Sequence, residues 1–135
     1  MAPEHNRNRA GFLLMAGLLS WAIPGAGHFL VGQRVRALII FVTILLTFCT
    51  GLYIGSIGVV DLGRPSASYL KGGQILNGPL VFFLSDQARV RGLRAYGWPS
   101  EIGEIYTVTS GLLNLLCLVN AVYIAHLGGK MPTGE

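Results

Sequence analysis

The side chains that could do chemistry in this sequence are few and far apart. Two histidines, His28 and His126, border long apolar runs. Two cysteines, Cys49 and Cys117, sit in the middle of such runs, and the carboxylates Asp61, Asp86, Glu101 and Glu104 fall at their ends. Hydrolytic or transfer chemistry needs a nucleophile beside a base, a carboxylate pair or a phosphate-cradling loop, and none of these spacings occurs. The acidic residues suit solvated or capping positions, Glu101 and Glu104 at the positive end of a helix dipole. The histidines invite a metal or haem, but they come without a second ligand pair or a CxxCH motif. The expectation is a protein that is not an enzyme and carries no cofactor and no metal. The cysteines read as small buried hydrophobes rather than halves of a disulfide.

The elements that would carry these residues are apolar. Hydrophobic residues make up 52% of the 135 positions and charged residues 12%, about half the share usual in soluble domains. A first run extends from Ala10 to Gly32 behind a polar tail, residues 1–9, that contains Arg7 and Arg9. Its length suffices to cross a hydrocarbon core of about 30 Å. Pro24, Gly25 and Gly27 predict a break within it. A signal peptide is the competing reading of this run, although cleavage near Ala26 would leave a mature chain starting a few residues before the next apolar segment.

The second run, Ala37 to Val60, holds no charged residue over 24 positions, and Arg34 and Arg36 precede it. Its Thr43, Thr47 and Thr50 can return their hydroxyls to the preceding turn. The last run, Ile105 to Leu127, is equally free of charge, and Gly128 and Gly129 end it as a C-cap would. Between them, Ser66 to Leu84 reads either as a further crossing that carries Lys71, Gln74 and Asn77, or as a re-entrant or interfacial segment. The expected fold is an all-α integral membrane protein, a bundle of three to four membrane-embedded helices in one domain, residues 10–127, with a polar tail at 128–135.

The ten Lys and Arg residues form small clusters between apolar runs rather than one stripe, which argues for anionic lipid as partner and against nucleic acid. Three crossings with a cytoplasmic N-terminus give seven basic residues inside against three outside; four crossings give five against five. The stretch SDQARVRGLRAYGWP places Arg89, Arg91 and Arg94 beside Tyr96 and Trp98. That composition suits a headgroup layer and also an ordinary loop.

Small residues mark the contacts between helices. Thr107, Ser110, Gly111, Asn114, Cys117 and Ala121 recur at separations of three and four on one face of the last helix, and Asn114 can hydrogen-bond across it. Gly51 and Gly55 form a GxxxG pair, suited to internal packing or to a dimer interface.

The most distinctive segment is PGAGHFLVGQ, with Gly25, Gly27, His28, Phe29 and Gly32 as turn or packing residues. It resembles the glycine, histidine, aromatic and glycine turn of the two-transmembrane-helix hairpin domain family, with Leu30 where an aromatic is usual. Together with EIGEIYTVTSGLLNLLCLVNAVYIAHLGG it also resembles an uncharacterised family of small bacterial multi-pass membrane proteins. In that family an acidic residue often follows the LLN motif, where this chain has Asn120. The resemblance implies a multi-pass protein of the bacterial cell (inner) membrane. The residues themselves suggest a role through helix packing, as a homo-oligomer or as an accessory or structural subunit of a larger membrane complex. The alternative is a small channel or transporter built on the broken first helix.

Overall fold

In the computed structural model the backbone is described for residues 2–63, 68–94 and 97–127, and side chains for 10–63, 70–94 and 97–127. All regular structure among these residues is helical: α1 (Ala2–Ala22), α2 (Ala26–Leu30), α3 (Arg34–Gly55), a 3-10 turn (Ile57–Val60), α4 (Ser68–Ile75), α5 (Pro79–Val90) and α6 (Trp98–His126). Tyr96, the Gly128–Gly129 cap and the 128–135 tail lie outside the described residues.

Helices α3 and α6 form the frame. Both are long and apolar enough to cross a membrane, and only 22% and 33% of their apolar windows are buried within the chain. The expected threonine back-bonds are present: Thr43, Thr47 and Thr50 each donate to the carbonyl four residues earlier at 2.8 Å. The two helices run antiparallel, and where they cross, backbone meets backbone. A Cβ on Gly103 would lie 2.6 Å from the Gly51 carbonyl and 2.7 Å from the Gly55 Cα. The GxxxG pair is therefore consumed by packing inside the chain, which takes it away from a dimer interface.

Two helical hairpins fill the space beside this frame. Helix α1 descends along α6, with Gly17 against Val122 and the Trp21 carbonyl 3.4 Å from Asn114 Nδ2. At Pro24 the chain reverses, as the sequence predicts. Gly25 takes φ 82°, and the close approach of the Ala37 carbonyl leaves no room for a side chain there. Helix α2 then returns beside α1, with Gly27 wedged between Ser20 and Ala121.

The second hairpin enters from the other end. Helix α4 rises alongside α6, Gly73 against Val108 and Gly111, and the chain turns back at Asn77–Gly78, where Gly78 has φ 81° against the Trp21 carbonyl. Pro79 opens α5, a position where its missing N–H costs nothing. Helix α5 descends to the 3-10 turn, burying Val81 with Phe48 and Val60.

Several sequence expectations need correction. The second run does not continue as one helix to Val60: α3 stops at Gly55, Ser56 takes φ 68°, and Ile57–Val60 folds under α5. Of the two readings of Ser66 to Leu84, the single crossing helix does not form, because the polar middle turns the chain back; Ser66 itself lies outside the described residues. The N-terminal tail is helical from Ala2, and the last helix starts at Trp98, seven residues earlier than its apolar run.

The Gly103 contact yields a stability expectation. Gly103→Val forces the α3–α6 crossing apart and lowers unfolding stability in detergent micelles by about 1–3 kcal/mol. Gly72→Ala, which enters open space on α4, raises it by up to about 1 kcal/mol. Denaturant titration followed by circular dichroism reads both.

Candidate functional site

The tips of the two hairpins meet beside the middle of α6, and the side chains gathered there are polar. Turning a helix back inside a bundle strands the carbonyls of its last turn, which need donors from elsewhere. Three primary amides supply them. Gln74 Nε2 donates to the Val59 carbonyl at 3.0 Å and to Thr107 Oγ1 at 3.1 Å. Asn77 Nδ2 donates to the Thr107 carbonyl at 2.7 Å and the Gln74 carbonyl at 3.2 Å. Asn114 Nδ2 donates to the Leu76 carbonyl at 2.8 Å, in the tip of the second hairpin, and to the Trp21 carbonyl at 3.4 Å, in the tip of the first.

Each of the three amides thus uses both of its protons. Thr107 returns its own hydroxyl proton to the Glu104 carbonyl at 2.9 Å, which leaves its oxygen free to accept from Gln74. Ser110 Oγ lies 2.7 Å from Asn77 Oδ1 and 2.8 Å from the Thr107 carbonyl. The Trp21 indole donates to the Ile75 carbonyl at 3.3 Å, a second tie between the hairpins. Gln74, Asn77, Thr107, Ser110 and Asn114 are all buried.

A second polar contact lies nearer the C-terminal end of α6. His28, 1% exposed, is buried, and its Nε2 is 3.3 Å from Asn120 Nδ2. An amide N–H can only donate, so in the neutral ring Nε2 accepts and Nδ1 carries the proton. His28 Nδ1, Ser20 Oγ and Asn114 Oδ1 are buried without a hydrogen-bond partner.

The remaining sequence candidates separate by place. Gly25, Gly27 and Gly32 shape the first hairpin and its exit, Gly32 with φ 88°. Phe29 is exposed and lies under the Arg34 guanidinium, 5.8 Å from its ring centre. Arg89, Arg91, Arg94 and Trp98 are exposed at the opposite end of the bundle, Arg89 3.9 Å from Asp61 in a solvent-facing pair. Among the described residues no three of His, Cys, Asp and Glu gather as a metal would require.

Sequence reasoning singled out Thr107, Ser110 and Asn114 on one face of the last helix and Gln74 and Asn77 as polar residues of the Ser66 to Leu84 segment, but it did not bring the two groups together and it missed Trp21. The available signal was the match between Gln74, near the end of α4, and Asn77, in the turn three residues later, and the polar face of α6 at the same period.

Residues 15–130 match a family of unknown function (DUF6677). The chain belongs to this family. No curated protein and no solved structure matches it. The family's span takes in Trp21, both hairpin tips and the Asn114 and Asn120 amides, so the polar centre lies wholly within it.

Removing the donors at the centre tests its role. Asn114→Leu leaves two buried carbonyls without partners and lowers stability by about 1–3 kcal/mol. In a Trp98→Phe background it also shifts the emission of Trp21 as the bond to the Ile75 carbonyl loosens. An unchanged unfolding midpoint would show that the tips hold together without the amide.

Proposed function

We propose that this chain is a non-enzymatic, multi-pass protein of the bacterial cell inner membrane that acts through helix packing, as a homo-oligomer or as an accessory subunit of a larger membrane complex. In this reading α3, about 33 Å long, and α6, about 44 Å long, cross the bilayer. The two hairpins enter from opposite faces and meet near its middle. The distribution of side chains supports it: small and polar residues line the interior, while large apolar ones such as Leu38, Leu46 and Leu116 are 64%, 62% and 70% exposed. Water would penalise such a surface and lipid would not. The bacterial placement follows the resemblance to small bacterial membrane proteins.

Asn120 carries the packing role. The small-residue faces of α3 and α6 are occupied within the chain, so a partner must use another surface. Asn120 is exposed on the outward face of α6 beside Leu116, Val119 and Tyr123. Its amide nitrogen is held by His28. Among the described residues no donor reaches its oxygen, on a face where lipid tails offer none, and a hydrogen bond from a neighbouring helix answers it for about 1 kcal/mol.

A channel or transporter would also use opposed broken helices. The centre argues less well for it, because its amide protons are bonded inside the chain and the cavity at the tips is lined by apolar residues apart from Asn77.

Purification from native membranes into nanodiscs, with mass spectrometry of what is retained, is expected to yield a self-assembly or a defined partner. Asn120→Leu is expected to weaken that association roughly fivefold. A strictly monomeric, partner-free species overturns the assembly role, and a liposome flux abolished by Asn114→Leu would favour a channel. In a chain with Cys49 and Cys117 replaced, Arg7→Cys and Gln33→Cys label from the same side if the first hairpin turns back; labelling from opposite sides would refute that arrangement.

A further inference from the structure

Two cavities beside the Pro24 break share Ile23, Pro24 and Phe41 and together form one groove along the outward side of α3. The upper part, ≈ 490 Å³, lies between Phe29 and Leu30 of α2 and Ala37 and Leu38 of α3. The lower part, ≈ 270 Å³, continues past Ile44 and Phe48 to Asn77 and Leu80 at the tip of the second hairpin. Every residue lining it is apolar except Asn77 at the bottom and Arg34 at the top. Arg36 is exposed two residues beyond Arg34 and is hydrogen-bonded to Gln33 at 3.3 Å. Among the described residues no carboxylate lines the groove.

Its length and width select an occupant. From Arg34 to Phe48 the axis of α3 rises about 21 Å. A groove that begins at a charged mouth and descends this far spans one leaflet, about half of a 30 Å hydrocarbon core together with its interface. A helix about 10 Å across and as long as the groove would displace roughly twice the combined volume, so a neighbouring helix does not fit inside it whole. A single hydrocarbon chain does. The mouth offers the Arg34 guanidinium, whose planar fork matches phosphate oxygens.

We propose that this groove holds one acyl chain of an anionic phospholipid, its phosphate at Arg34 and its chain running past Pro24 to Leu80. The site shares with the assembly reading only the membrane placement, so either can fail without the other. It is separate from the Arg89–Arg94 cluster, which lies at the other end of the bundle.

The test uses the full chain in phosphatidylcholine vesicles containing a trace of phosphatidylglycerol with a mid-chain diazirine, followed by peptide mapping of the photo-adducts. Saturable adducts are expected on residues 19–48. Unlabelled phosphatidylglycerol is expected to displace them at least tenfold better than phosphatidylcholine. Leu38→Trp, which fills the exposed groove without touching the polar centre, should remove most of the adduct. Arg34→Gln should abolish the preference for the anionic lipid, and Arg34→Lys should retain part of it. Adducts spread evenly over the outer faces of α3 and α6 and unchanged by Leu38→Trp would overturn the proposal. So would displacement that is equal for both lipids in the unaltered chain, or protein-to-protein cross-links at the groove. If Arg34→Gln does not fold, the Leu38→Trp comparison and the lipid competition decide on their own.

Discussion

The arrangement of this chain depends on one amide. A helix that reverses direction inside a bundle leaves carbonyls at its tip with no partner, and an orphaned buried carbonyl is costly wherever water is absent. Here two hairpins reverse at the same height. Asn114 presents its two N–H groups to one carbonyl from each, Trp21 and Leu76. Serine or threonine at this position has a single proton and could hold only one hairpin, and aspartate has none when ionised. The two nearby amides, Gln74 and Asn77, extend the same solution to Val59 and Thr107, tying the 3-10 turn and α6 to the second tip.

This centre dictates the rest of the interior. For side-chain amides on α4 and α6 to reach backbone carbonyls, the helices must approach until glycine is the only residue that fits. Gly111 lies against the Gly73 carbonyl and the Asn77 amide, and Gly103 against Gly51 and Gly55. The contact between elements is therefore made of backbone and short polar groups. Most large apolar side chains are left to point outward; Ile44 and Ile124 are buried, and Phe48, Val60 and Val81 form a compact apolar cluster. In water such a molecule would lack the hydrophobic driving force that holds soluble domains together. In lipid, dispersion contacts and interhelical hydrogen bonds are the forces that remain.

Sequence reading succeeds here where the cause is local and fails where it is tertiary. Proline's missing N–H and the freedom of Gly25 and Gly27 are properties of those residues alone, so the break at Pro24 is legible. So are the two long apolar helices and the back-bonding threonines. The end of α3 is not, because the residues after Gly55 stay apolar: Val59 and Val60 are buried under α5, a partner that hydropathy does not reveal. Nor does a short apolar stretch with Gln74 and Asn77 before it say whether it crosses or turns back. The choice depends on whether Thr107, Ser110 and Asn114 stand opposite, which only the fold decides. His28 is a similar case. Nothing near it in the chain pairs with it in the interior; Asn120, 92 residues away, lets it be buried.

The groove is a geometric consequence of the same break. The ingoing arm of the first hairpin, α1, packs along α6, while its returning arm, α2, has only five residues before the chain turns at Gly32 into α3. So short an arm covers the Ala37 level, where Gly25 meets the carbonyl, and leaves the side of α3 below it bare as far as Leu80. A longer α2 would close the groove, but it would also push the Pro24 turn away from the height at which Asn114 can reach Trp21. The clasp fixes where the first hairpin ends, that position limits how much of α3 the hairpin can cover, and the uncovered strip opens at the end of the helix that carries Arg34 and Arg36.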